Sequence, residues 1–351
     1  MENLAKLLKE HFDNHPEMEI RDAVKFLYQS RMGGGHLISD EGAAFARLEA
    51  EWSQTAASPS APLTEPLGGG LCRLQLNACK GRGLSVKTVF RLFQLTAQQV
   101  VPDRSALERD LDLVYTLPFP RETAEQWLAQ YRSEGCPVLG HSARYRAAYA
   151  PAYRLISQKL ARLLPLLCAI DREMAREPSV RVAMDGPCAS GKSTLGEELA
   201  QIYACPLLHM DDFFLRPEQR TEERLAQPGG NVDYERFLQE VLLPLSRHEA
   251  ACYRPWRCRA GAFDAPVMVL PSPLVVVEGS YSLHPDLRDY YHLRVWVEAP
   301  LEERLDRLAQ RGGPGCLARF RTLWIPLENR YFEACRVREC CQISVSGSQK
   351  S

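Results

Sequence analysis

Residues 179–194 read SVRVAMDGPCASGKST: an apolar run closing on Asp185, a turn of glycine and small residues, then Lys-Ser-Thr. The segment Gly186-x-x-x-x-Gly191-Lys192-Ser193 has the spacing of a phosphate-binding loop. Glycines let the backbone curl so that successive N–H groups point inward at a phosphate, and the next helix adds the positive end of its dipole. On this reading Gly186, Ala189, Ser190, Gly191, Lys192, Ser193 and Thr194 cradle a nucleotide. Lys192 is expected to reach its β- and γ-phosphates, and the Ser193 hydroxyl to bind Mg²⁺. The run before the loop predicts a strand, and Leu195, Leu199 and Ile202 predict one face of a helix after it.

Working outward, short apolar runs alternate with amphipathic helices after Pro178: VRVAMD, PLLHMDD, LVVVEGS, HLRVWVEA and QISVS are strands, with helical patterns between them. Fully apolar strands in βα alternation predict an α/β fold, a doubly wound parallel sheet covered on both faces. Sites in such sheets lie at the strand C-terminal ends. Before Pro178 the patterning is mostly helical, interrupted by a loop at 53–70 rich in Ser, Ala, Pro and Gly. The runs Gly33-Gly34-Gly35 and Gly68-Gly69-Gly70 read as turns or helix ends. Segment 141–155, HSARYRAAYAPAYRL, reads as an amphipathic helix. A helix over about 152–176, ended by Glu177-Pro178, is expected to join the halves. The expected domains are therefore 1–151, mostly helical and of unassigned role, and 152–351.

A chain of 351 residues is long for one core, which agrees with two domains. A net charge of −1 gives no general attraction to nucleic acid or acidic membranes, so the expected partners are small molecules. The apolar stretches are too short or too broken by proline to span a bilayer. Leu4, Leu7, Leu8 and Phe12 form a helix stripe among charges and not a secretory signal. Twelve cysteines without a CxxC pair point to a reducing, cytoplasmic setting, with Cys335, Cys340 and Cys341 as ordinary buried thiols. The sequence leaves homo-oligomerisation open.

Further residues separate transfer from hydrolysis. Glu278, closing the run LVVVE, is the expected second metal ligand. It lacks the Asp-Glu pair of ATPases that position water, and neither a guanine-reading NKxD nor a transporter signature is present. In HMDDFF, residues 209–214, Asp211 or Asp212 stands where a carboxylate can take the proton of an acceptor hydroxyl. One of the two is expected to be a simple helix cap.

The motifs GPCASGKST, MDDFF, PGGNVDYERF, VVVEGSY and RLDRLAQR occur in this order. Over about residues 178–346 the chain resembles the uridine kinase, pantothenate kinase and phosphoribulokinase group of P-loop kinases, and most of all proteins described as uridine kinase-like. That resemblance implies ATP- and Mg²⁺-dependent phosphoryl transfer to a hydroxyl of a small molecule, a nucleoside first, with pantothenate or a sugar phosphate as alternatives. A regulatory module that only binds ATP is the non-enzymatic alternative. The resemblance makes Asp211 the base and Phe213 a packing residue. It also makes Asp233 a ligand for sugar hydroxyls, and Tyr253 and Arg254 part of a hairpin that touches the acceptor. Phe214 replaces the family's usual Tyr, and Gly312 its usual Asp. RLDRLAQRGGPG resembles a lid, in which Arg304, Arg307 and Arg311 share a helix face. Arg311, beside the glycines, is the expected phosphate contact, whereas Arg304 reads as solvated. Trp324 in WIPLENRYF reads as core or as part of a closing helix.

Overall fold

The chain divides into two compact units, Met1–Cys168 and Ala169–Ser351. The computed structural model describes residues 3–348, so the outermost ends of the two expected domains lie outside the described residues.

The first unit is not purely helical. Strands β1 (Thr64–Gly68), β2 (Leu71–Gln75) and β3 (Tyr153–Ser157) form an antiparallel sheet in that order, among helices that include Ile20–Met32 and Val86–Gln99. Strand β3 corrects the expected linking helix: residues 153–157 are extended and pair with β2 from Tyr153↔Gln75 to Ser157↔Leu71. It also explains why the units divide after Cys168 and not after residue 151, since a cut before β3 would remove an outer strand from the sheet. A short apolar pair such as Leu155-Ile156 suits a helix stripe and a strand alike, so periodicity alone could not decide. Strand β1 lies within the expected loop; it is an edge strand, which tolerates Pro66. The β1–β2 turn uses Gly68, Gly69 and Gly70, all at positive φ, and a Cβ on Gly69 would stand 2.2 Å from the Ser30 carbonyl oxygen. The amphipathic helix of the 141–155 segment covers only Ala143–Tyr149, with Tyr145 buried and Arg144 paired to Glu17.

In the second unit, β4 (Val180–Asp185) and β5 (Leu207–His209) precede two small antiparallel ladders. These pair β6 (Ala251–Tyr253) with β9 (Val267–Val269), and β7 (Trp256–Arg257) with β8 (Ala262–Phe263). Strands β10 (Leu274–Glu278), β11 (Leu293–Glu298) and β12 (Ile343–Ser346) complete the main sheet, of order β12-β11-β4-β10-β5 with every neighbour parallel. All residues of β4 and β10 are buried, which is why both read as largely apolar runs, broken by Arg181 in β4 and closed by Asp185 and Glu278. Register pairs Glu278 with both Met184 and His209, so the C-terminal ends of β4, β10 and β5 meet at one edge.

Two expected helices are interrupted. In Tyr234–Ser246 a wide π turn spans Leu238–Leu242, with Leu243 N–H donating to the Leu238 carbonyl. Pro244, which has no N–H and crowds the carbonyl four residues back, accounts for it. The helix Leu301–Arg319 is kinked at Gly313 (φ 69°, ψ −172°), and a π turn leads on to the helix Ile325–Ala334. Cys335, Cys340 and Cys341 are half-buried free thiols at the edge of this unit's core. No helix among the described residues is long and apolar enough to cross a membrane.

Candidate active site

The loop 186–191 leaves the C-terminal end of β4 and enters the helix Lys192–Tyr203. Gly186 has φ 149°, and a Cβ there would lie 2.1 Å from the Val297 carbonyl oxygen, so no other residue fits against β11. Gly191, at φ 101°, sits at the helix entry. Asp185, fully buried at the strand end, ties the loop to the segment after β10. Its carboxylate accepts from Gly186 N–H at 2.7 Å, Leu283 N–H at 2.9 Å and the Tyr331 hydroxyl at 2.9 Å. Burial pushes its pKa up to about 6, opposed by these hydrogen bonds and by Lys192. Asp185→Asn is expected to destabilise the second unit by about 1–3 kcal/mol, because an amide NH₂ would have to face donors that now point at a carboxylate. Denaturant unfolding of the full chain measures this; an unchanged transition would mean that the amide finds other partners.

Three further side chains grip the loop. Glu328, buried on the helix Ile325–Ala334, accepts from Cys188 N–H and from the Ser280 hydroxyl, both at 2.8 Å. Arg304 donates to the Cys188 carbonyl at 2.8 Å, and Arg307 to the Ala189 carbonyl at 2.9 Å. Arg304 is buried, which corrects the solvated reading given to it: two of the three lid arginines are committed to loop carbonyls. Arg304→Met keeps most of the packing and removes the charged donor. The expected cost is about 1.5–3 kcal/mol, seen as a melting temperature several degrees lower. An unshifted melting curve would show the contact to contribute nothing.

In front of the loop is a cavity of about 320 Å³. Cys188, Ala189, Lys192 and Ser193 line it from the loop, whereas Gly186, Ser190, Gly191 and Thr194 do not reach its wall. Lys192 Nζ donates to the carbonyls of Gly186 at 2.7 Å and Pro187 at 2.9 Å. Asp211, Glu278, Arg311 and Glu328 complete the charged lining, and Phe214, Phe320 and Trp324 form an aromatic wall, with the Phe214 and Trp324 ring centres 5.9 Å apart. Trp324 is thus a wall residue and not core alone. Glu278 is buried and shares a 2.6 Å hydrogen bond with His209 Nδ1. That bond raises the His209 pKa against the effect of burial. The stability it adds is present below the ordinary histidine pKa and is lost as pH rises through the raised value.

The neighbouring aspartates separate sharply. Asp211 opens onto the cavity, and among the described residues it has no hydrogen-bond or ion-pair partner. The surrounding protein and then the Glu278 charge raise its pKa, opposed by Lys192 and His209. Asp212 is buried beneath the hairpin, bonded to Arg257 at 2.8 Å and to the Tyr253 hydroxyl at 3.3 Å.

The expected acceptor ligands are not brought to the cavity lining. Asp233 caps the helix that starts at Tyr234, accepting from Arg236 N–H at 3.2 Å and from Gln219 Nε2 at 2.8 Å. Tyr253 is buried in the core and its hydroxyl is taken by Asp212. Arg254 is exposed and donates to the carbonyls of Asp264 and Phe263. Each of the three thus carries a structural contact. Asp185, Ser280, Phe320 and Glu328 were missed; only the first two, flanking the recognised loop and strand end, carried a sequence signal.

Sheet order, glycine loop and the helix after it define the second unit as a P-loop α/β fold. No family model matches the chain, and no curated protein matches it. Among solved structures it is similar to a possible uridine kinase from Bacillus stearothermophilus, at 16% identity over 52% of this chain and 100% of that one, with a TM-score of 0.38. It is also similar to shikimate kinase from Aquifex aeolicus, at 17% identity over 48% of this chain and 88% of that one, with a TM-score of 0.26.

Proposed function

We propose that the second unit is a phosphotransferase that moves the γ-phosphoryl of ATP to a hydroxyl of a small acceptor, a nucleoside in the first instance. What carries this reading is Asp211, a carboxylate without a partner among the described residues, in the same cavity as Lys192, Ser193 and Glu278. A purely regulatory nucleotide site has no use for a free base there. Asp211 accepts the acceptor's proton, and its raised pKa makes it a stronger base than an ordinary carboxylate. Lys192 neutralises charge on the transferred phosphoryl, and Arg311 faces the same space. The hydroxyl of Ser193 and the carboxylate of Glu278 are hard oxygen donors that fit Mg²⁺, which when bound supplies further charge neutralisation on the phosphates. The aromatic wall of Phe214, Phe320 and Trp324 favours an acceptor with a planar ring.

The test is ADP release from ATP with the full chain, against a panel of nucleosides, pantothenate and sugar phosphates. Stimulation by nucleosides is the expected result. Stimulation only by another alcohol would change the acceptor, and fast hydrolysis unaffected by every acceptor would overturn the transfer reading.

A further inference from the structure

We propose that the first unit holds a second ligand site, a cavity at Lys25 that binds a small organic carboxylate. It lies wholly among residues of that unit and does not rest on the phosphoryl-transfer reading. Its volume is about 190 Å³. A cavity of roughly 150 Å³ is enough for benzene, so an acid of about six to nine heavy atoms fits. The walls are largely apolar, formed by Leu37, Leu139, Leu155 and the Tyr28 ring.

The charge in the lining is cationic and comes from Lys25. His36 lies beside it with its pKa held below the ordinary histidine value by burial and by Lys25, and no carboxylate among the described residues lines the cavity. Lys25 Nζ donates one hydrogen bond, to the Leu139 carbonyl at 2.8 Å, and an ammonium has three protons to place. The nearby acids are already engaged. Asp22 accepts from His141 Nδ1 at 3.0 Å, Ser142 N–H at 2.9 Å and Glu19 N–H at 3.1 Å. Glu65 is bonded to His11 and Arg73. Arg73, fully buried, is outside the lining; it is paired with Glu65 and donates to Gln29 Oε1 at 2.9 Å. Burial first, then Arg73, bring the Lys25 pKa down to about 8 against the pull of Asp22. A half-buried ammonium whose hydrogen-bond partner is a neutral carbonyl is short of counter-charge, and an anion in the cavity supplies it. One ammonium beside apolar walls suits a monoanion with a hydrocarbon body better than a phosphate dianion. The glycine run shapes this site: Gly33 has φ 66°, and a Cβ on Gly34 would come within 2.9 Å of Phe93. The competing role for Lys25 is a latch, because Arg21, one helical turn earlier, holds the Gly140 carbonyl in the same way at 2.8 Å.

Calorimetric titration of the full chain with benzoate and butyrate, each against its neutral amide, distinguishes the two roles. The expected result is an acid favoured over its amide by about tenfold or more, the usual worth of a charge-assisted hydrogen bond. In Lys25→Met this preference disappears while amide binding persists. Benzoate is also expected to protect Lys25 of the wild type from reductive methylation, read by peptide mass spectrometry, which locates the site even if Lys25→Met does not fold. Equal binding of acid and amide, a preference that survives Lys25→Met, or methylation of Lys25 indifferent to benzoate overturns the proposal and leaves Lys25 a latch.

Discussion

Asp211→Asn is expected to lower the turnover of acceptor phosphorylation by about 10² to 10⁴, the usual worth of a positioned general base, while leaving ATP affinity unchanged. The amide has the size of the carboxylate and differs in being unable to take a proton. Because Asp211 has no partner among the described residues, the substitution breaks no hydrogen bond seen in them, so the melting temperature is expected to hold. Asp212→Asn is the contrasting control. Its carboxylate is bonded to Arg257 and Tyr253, so its loss is expected to loosen the hairpin and reduce stability more than turnover. Steady-state kinetics and a melting curve on both variants separate the roles. If Asp211→Asn turns over normally and Asp212→Asn does not, the assignment of the base is wrong.

Lys192→Met is the second large effect, an expected loss of at least 10² to 10³ in turnover. Methionine keeps the length of the stem and removes the lysine charge that lines the cavity, the group proposed to meet charge developing on the transferred phosphoryl. Its bonds to the Gly186 and Pro187 carbonyls are also lost, so a modest drop in stability is expected alongside. Near-normal turnover in a folded Lys192→Met protein would remove the loop from the chemistry. The two variants differ in one respect that matters: Lys192→Met is expected to weaken ATP binding as well as transfer, whereas Asp211→Asn spares it. Equilibrium binding of ATP to each reads the difference directly.

The loop itself was legible in sequence because its geometry is local. Gly186 and Gly191 permit positive φ, and the residues that shape the turn are contiguous. The parallel sheet was legible for a related reason: strands buried on both faces are largely apolar, and β4 and β10 depart from this at Arg181 and at their closing acids Asp185 and Glu278. Glu278 followed from the same logic, as the residue closing such a strand.

What sequence could not decide was which way a side chain points and what reaches it from afar. Asp211 and Asp212 are adjacent and chemically identical, and only the fold turns one into the cavity and the other beneath the hairpin, where Arg257 and Tyr253 wait. Asp233 and Tyr253 match a familiar pattern, yet here a helix cap and a core contact occupy them. Glu328 and Arg304 bond the loop from 140 and 116 residues away in the chain, a separation at which no spacing rule operates. In the first unit, β3 joins its sheet across a shorter but still long gap, with Ile156 paired to Cys72, 84 residues away, since strand pairing is satisfied by a partner's backbone and leaves little trace in its own five residues. The sequence alone determined the P-loop, the class of sheet that carries it and the kinds of residue the chemistry needs. Tertiary structure alone decided which of those residues meet in one cavity, because convergence there depends on long-range hydrogen bonds and packing that no local pattern encodes.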